Sequence, residues 1–405
     1  MKSKKKWIKF RHKVTRAVLG VTFAPYCKLK YRIKIEKFKN REKRQFLILF
    51  NHQTAYDQFF VGMAFKGPIY YMASEDIFSN GILSSLIKYL AEPIPIRKQS
   101  ADVHAVINCM KVAAEGGTIA LAPEGNRTYS GKTCYINPSI APLAKKLSLP
   151  IAIFKIEGGY GTHPRWSDKV RRGKKMRGYV SRVIEPGEYA NLSNDELYSV
   201  ISKELYQNEA EWGGEYHHKN LAEGLERAIY VCPECKLSRF KTKGDLIQCE
   251  KCGKKARYLP NKEFSGVDFD FPFKNVLDWY EYQEAYINSL DTEKLCESPI
   301  YEDFIRLSET IPYKPRKLIR KRAKISLYGD RITLCENESD SQIFAFDEIS
   351  GLAVLGKNKL NIYKNKKETY QLKGDKSFCA LKYLNIYHRH KNLTKGDKDG
   401  KFLGL

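Results

Sequence analysis

Two side chains five positions apart, His52 and Asp57, make the clearest chemical pairing in the sequence. His52 follows an apolar run, residues 46–50, with the length and composition of a fully buried strand. A second apolar run, residues 59–65, reads as a helix starting near Asp57. A histidine at the carboxyl end of a buried strand sits where open α/β sheets build their sites. From a helix start the Asp57 carboxylate can fold back onto one imidazole nitrogen and leave the other to take a proton. That is the base-and-orienter half of a Ser-His-Asp triad without a serine, so the nucleophile would be a hydroxyl on the substrate. The spacing alone fits equally a helix-terminal Asp beside a surface histidine.

A second chemical signal is Cys232-Pro-Glu-Cys235 followed, after thirteen residues, by Cys249-Glu-Lys-Cys252. Two thiolate knuckles at this spacing predict a tetrahedral all-thiolate metal site with no open position for chemistry. A structural zinc is expected, with iron left open by the sequence. The module reads either as a metal staple for a unit too small to hold a core or as a ribbon that binds a partner. Cys27, Cys109, Cys134, Cys296, Cys335 and Cys379 show no ligand spacing. A chain with ten cysteines so arranged fits a reducing compartment rather than a disulfide scaffold.

Strand and helix patterns alternate around the His-Asp pair, which predicts an α/β fold: a mostly parallel sheet with helices on both faces. Short strands are expected at residues 69–72, 118–122 and 151–156, and an extended Pro-rich segment at 93–98. Helices are expected at residues 77–90, with Ile82, Leu83, Leu86, Ile87 and Leu90 on one side, then from a Ser100 cap through Met110, and over Ile140–Leu147. Ser193 and Glu196 form a capping box ahead of a further helix. The strand at 118–122 delivers Pro123-Glu124-Gly125-Asn126-Arg127-Thr128.

The chain has 405 residues, 71 Lys and Arg against 46 Asp and Glu, and a net charge of +25. Residues 1–44 hold 17 of those basic residues and only Glu36 and Glu42, which calls for an anionic partner. Within residues 2–26, Trp7, Phe10, Val14, Val18 and Val21 recur at helical spacing among lysines and arginines, and Pro25 is read as the end of the segment. This is the pattern of an amphipathic helix in a membrane interface. Residues 28–36 alternate as a basic edge strand. No signal-peptide pattern and no membrane-spanning run is read, so the expected place is cytoplasmic, peripheral on the inner face of the membrane. The basic charge lies in no recognised nucleic-acid motif, and nucleic acid is not an expected partner.

With these elements placed, residues 45 to about 210 resemble the 1-acylglycerol-3-phosphate acyltransferase family. The resemblance rests on Asn51-His52-x4-Asp57, Pro95-Ile-Arg97, Glu124-Gly125-Asn126-Arg127-Thr128 and Leu149-Pro150-Ile-Ala-Ile, in that order. It implies an O-acyltransferase in which His52 is the general base and Asp57 its partner. Asn51, Arg97, Glu124, Gly125, Arg127 and Thr128 would then form the acceptor pocket, with Arg97, Glu124 and Arg127 shaping its phosphate end. Apart from the resemblance, Gly125 in the turn after a strand allows close backbone approach and an N–H toward a developing oxyanion. The donor would be acyl-CoA or acyl-carrier protein, and the acceptor a lysophospholipid, with 1-acylglycerol-3-phosphate the default. Asn126 departs from the family pattern, and residues 158–166 are rich in groups able to contact a polar headgroup. Rival readings are a lysolipid acceptor without phosphate and a catalytically inactive lipid-binding protein.

The sequence divides into residues 1–27 (membrane-contact helix), 28–228 (acyltransferase domain), 229–258 (zinc ribbon), 259–321 (helical and aromatic linker), 322–392 and 393–405 (polar tail). Residues 314–324 read as a basic linker. Residues 322–392, with short strands and a closing helix at 378–388, resemble a pleckstrin-homology-like or GRAM-like module.

Overall fold

The computed structural model describes residues 6–39, 44–96, 102–311, 314–335, 341–365 and 368–396. The chain folds as two compact units, residues 1–164 with 174–211, and residues 165–173 with 212–405.

The first unit is built on a seven-stranded sheet. Its order is Lys34–Ile35, Arg177–Ile184, Ile151–Glu157, Leu47–Phe50, Thr118–Leu121, Ile69–Ser74, Ile94–Ile96. All neighbours are parallel except Arg177–Ile184 against Ile151–Glu157. Both faces are covered, so the Leu47–Phe50 strand is buried at every position. Leu47 and Leu49 share a core with Val112, Leu143, Leu197 and Ile201 from helices Val103–Ala114, Ile140–Leu147 and Asn194–Leu205. On the opposite face Phe46 meets Phe38 and Phe65 around helix Asp57–Ala64.

Local signals set several boundaries. The Ser193 side chain accepts from the Glu196 backbone and Glu196 reciprocates, as the capping box requires. Helix Val103–Ala114 is capped by Asp102, whose carboxylate accepts from Ala105 N–H at 3.1 Å. Ser100, the expected cap, lies outside the described residues.

Three expectations are corrected. The first helix runs Phe10–Tyr31, straight through Pro25, and so absorbs the start of the expected edge strand, of which only Lys34–Ile35 remains. A proline inside a helix costs about 3 kcal/mol. Burial of Cys27 and Tyr31 beyond it, with Tyr31 against Tyr56 and Phe60, offsets that loss. The residue 77–90 helix is broken into a 3-10 turn, Glu75–Ser79, and helix Ile82–Ala91, with Gly81 at φ 60° between them. Its apolar face is not core: Ile82 is 89% exposed, and Leu83, Leu86 and Tyr89 are also open to solvent.

In the second unit, strands Phe240–Lys243, Leu246–Cys249, Lys255–Tyr258 and Phe264–Gly266 form an antiparallel sheet beside the hairpin Val231–Cys232 and Lys236–Leu237. The aromatic stripe of helix Val276–Ser289 is packing, as Trp279 is buried among Phe264, Phe271 and Phe273. A seven-stranded antiparallel sheet follows, ordered Ser341–Ala345, Arg331–Cys335, Lys317–Leu327, Tyr301–Glu309, Thr369–Gly374, Lys359–Tyr363, Gly351–Leu355. Helix Ala380–Thr394 closes it, nearly all of its first two turns buried. Residues 314–324, expected as a linker, lie mostly in strand Lys317–Leu327, and Tyr301–Glu309 joins the same sheet. The run of charges masks a strand pattern that only its last residues, Ala323, Ile325 and Leu327, display by burial.

Candidate functional site

The Leu47–Phe50 strand ends on Asn51-His52, and the next helix begins at Asp57. Asp57 turns back on this loop. One carboxylate oxygen sits 2.8 Å from His52 Nδ1 and accepts the Gln53 N–H at 2.7 Å. Both oxygens accept from Thr54 N–H at 2.9 Å, and Thr54 Oγ1 donates at 2.7 Å. Asp57 is fully buried while the His52 side chain is partly exposed. An acceptor at Nδ1 fixes that nitrogen as the protonated one and directs Nε2 outward as the base.

Glu124 holds the same loop from the other side. Its two oxygens accept the backbone N–H of His52 at 2.7 Å and of Cys134 at 2.8 Å. Burial pushes its carboxyl up to about 8, against the pull of those two N–H donors, and the charge of Asp57 adds to the rise. Thr128 N–H donates to the His52 carbonyl at 3.3 Å, and its hydroxyl accepts from Gly131 N–H at 2.9 Å. Glu124 and Thr128 are therefore buried braces of the His52 loop. Gly125, at φ 69°, makes the turn, but its N–H is given to the Ala122 carbonyl at 3.0 Å. In this turn the donor expected to face an oxyanion is engaged within the loop. Arg127 and Asn126 are both buried. Arg97 lies outside the described residues.

Asn51 clamps the loop to the neighbouring strand. Its Oδ1 accepts from Ile156 N–H at 2.7 Å and its Nδ2 donates to Ile156 O at 2.8 Å and Gln207 Oε1 at 3.2 Å. Gln207 Nε2 donates to Glu209 at 2.7 Å, and the buried Glu209 carboxylate accepts from Gly158 N–H and, at 2.8 Å, from Tyr160 N–H. This fixes the turn Gly159–Thr162 against the histidine loop, where a Cβ on Gly159 would come within 2.5 Å of Gln53 Cβ. No sequence signal points to Gln207 or Glu209, whose spacing follows no motif. Residues 158–166 are buried, not presented as a headgroup surface: His163 Nδ1 lies 3.1 Å from Tyr31 OH, and Arg165 donates to the carbonyls of Val354 and Gly356.

Residues 32–155 match the Acyltransferase family. The matched segment contains His52, Asp57 and all of residues 124–128. A crystal structure of the 1-acyl-sn-glycerophosphate (LPA) acyltransferase PlsC from Thermotoga maritima is similar at 18% identity and a TM-score of 0.40, over 49% of this chain and 80% of that one. No curated protein matches the chain.

The first unit carries an apolar surface. Trp7, expected to join the outward stripe, is buried, its N–H held by the Glu115 carboxylate. Phe10 is 79% exposed, and Val14, Val18, Val21 and Leu29 follow it along the outer side of helix Phe10–Tyr31. Its inner side is anchored by polar groups: His12 Nδ1 lies 3.0 Å from Tyr70 OH, and Arg16 donates to Phe65 O at the end of helix Asp57–Ala64. Arg11 donates to Tyr89 O, and Lys9 pairs with Glu92 at 2.6 Å, which sets this helix beside Ile82–Ala91. No helix among the described residues is long and apolar enough to cross a membrane.

In the second unit, the ligand atoms of Cys232, Cys235, Cys249 and Cys252 all lie within 4.8 Å of one another. Cys232 Sγ and Cys252 Sγ are 3.8 Å apart. A tetrahedral tetrathiolate site with metal–sulfur bonds of about 2.3 Å has sulfur–sulfur edges of about 3.8 Å, so these four thiols fit one metal ion.

Proposed function

We propose that the acyltransferase domain moves a fatty acyl group from an acyl-CoA or acyl-carrier-protein thioester to the hydroxyl of a lysophospholipid, with 1-acylglycerol-3-phosphate the first candidate. The observation that carries this reading is the 2.8 Å contact between His52 Nδ1 and a buried Asp57 carboxylate. His52 Nε2 takes the acceptor hydroxyl proton as its oxygen attacks the thioester carbon. The carbon–sulfur bond then breaks, and the leaving thiolate receives the proton. The thioester is already activated, so no enzyme nucleophile is needed.

The exposed apolar sides of helices Phe10–Tyr31 and Ile82–Ala91, flanked by Arg11, Lys13 and Lys88, support attachment to an anionic membrane surface, with the inner face the expected side. The four-cysteine cluster is proposed to hold a structural zinc, which would tie the hairpin ends of a small sheet.

Arg127 is mostly buried, which favours one second reading: transfer to a lysolipid that lacks a phosphate. Transfer of labelled acyl groups from both donors to a panel of lysolipids, wild type beside His52→Ala, tests these readings together. Product on 1-acylglycerol-3-phosphate that vanishes in His52→Ala supports the first reading, and product only on an unphosphorylated acceptor supports the second. In the first case Arg97→Ala should raise the acceptor KM. An active His52→Ala protein would sink the mechanism.

A further inference from the structure

We propose that the basic edge of the seven-stranded sheet at residues 317–323, an arm of strand Lys317–Leu327 lying beside Phe304 and Arg306 of Tyr301–Glu309, docks the second unit onto an anionic lipid surface. The inference stands apart from the transferase reading, because it rests on no residue of the acyltransferase domain.

Residues 314–324 contain seven Lys or Arg and no acidic residue. Strand Lys317–Leu327 outruns one of its neighbours: its pairing with Arg331–Cys335 begins only at Lys324. Residues 317–323 therefore have a strand on one side alone among the described residues, Tyr301–Glu309, with register shifts that twist the ribbon there. Leu318 and Ile319 are consecutive in this strand, so they point to opposite faces, and both are exposed. On the partner strand Ile305 and Leu307 are buried, which turns Phe304 and Arg306 outward, with Phe304 54% exposed. The Arg322 guanidinium lies 4.3 Å over the Phe304 ring. Lys324 is paired with Glu302 at 2.8 Å, whereas Arg306, Lys317 and Lys321 have no carboxylate partner among the described residues.

Apolar side chains interleaved with cations along a sheet edge match the boundary between lipid headgroups and acyl chains. Leu318, Ile319 and Phe304 gain from leaving water, and the lysine and arginine heads reach lipid phosphates. A nucleic acid would need the Phe304 ring as a stacking platform, and one face of that ring is already taken by Arg322.

The test uses the full chain carrying Phe10→Ser, Val14→Ser and Val18→Ser, so that attachment through the first helix does not mask the arm. Flotation is measured with vesicles of phosphatidylcholine alone and with roughly one-third phosphatidylglycerol. On the anionic vesicles, adding Lys317→Glu, Lys321→Glu and Arg322→Glu should lower the partition coefficient about tenfold or more. Leu318→Ser with Ile319→Ser should also lower it with the charge unchanged, and Lys317→Arg with Lys321→Arg should keep it. A Phe304→Trp chain, which keeps the arm intact, should shift its emission to the blue when anionic vesicles are added. Unchanged partition in both loss variants, or no emission shift, overturns the proposal. So does a charge-reversal loss seen on duplex RNA or an acidic protein but not on vesicles.

Discussion

Glu124 and His52 are joined through the backbone: a Glu124 oxygen accepts the His52 N–H at 2.7 Å, while the catalytic candidate's imidazole faces Asp57 instead. A residue of the 124–128 motif thus sets where the histidine loop sits without touching its ring.

That relationship has a pH signature. Glu124 titrates near 4.5 when unfolded and is raised to about 8 by burial in the fold. Below about 4.5 it is protonated in both states and its contribution is fully present. As pH rises from there toward 8, the unfolded chain releases the proton while the fold retains it, so stability falls, by a few kcal/mol at most at about 1.4 kcal/mol per unit. The thermal midpoint of the wild type should drop across this window, and Glu124→Gln should flatten the dependence. Parallel curves for the two proteins would contradict it.

Asp57→Asn should slow acyl transfer by about 10³- to 10⁴-fold through loss of the imidazole's tautomer. It should also lose about 1–3 kcal/mol of stability, because Gln53 and Thr54 each give a backbone N–H to this carboxylate. His52→Ala should match it in activity but not in stability. Steady-state rates beside urea midpoints separate the two effects, and wild-type kcat in Asp57→Asn would remove the pair from the mechanism.

Gly159→Ala places a methyl 2.5 Å from Gln53 Cβ and should destabilise the fold by about 1–3 kcal/mol. Because Gln53 follows His52, kcat should fall as well. A denaturation curve superimposable on wild type would show that the turn yields freely.

Native mass spectrometry should find one zinc per chain, lost in Cys249→Ser. Chelation should remove a thermal transition assigned to the second unit, since a structural site contributes its binding free energy to folding. A metal-free chain with unaltered melting would reject the structural role.

Ile82→Glu with Leu86→Glu should leave stability within about 0.5 kcal/mol per site, because both side chains are already exposed. The same pair should weaken vesicle binding. A large loss of stability would instead mean that this face is covered by protein.

The sequence by itself determined what local rules control. The alternation of strands and helices, the Ser193–Glu196 cap, helix Ile140–Leu147 and the two cysteine pairs all depend on near neighbours, and all are found. His52 and Asp57 were legible because a strand end and a helix start bring them together over five residues. Tertiary structure decided the rest. Whether an apolar stripe is core or surface depends on what packs against it, and nothing in the pattern of Ile82, Leu83 and Leu86 distinguishes the two. Burial of Tyr31 carries a helix past Pro25, and pairing with Tyr301–Glu309 makes a strand of a basic run that reads as a linker. The roles of Asn51, Glu124 and Glu209 were hidden for the same reason. Each satisfies backbone groups from a separate loop or strand, and that need exists only once the sheet has assembled.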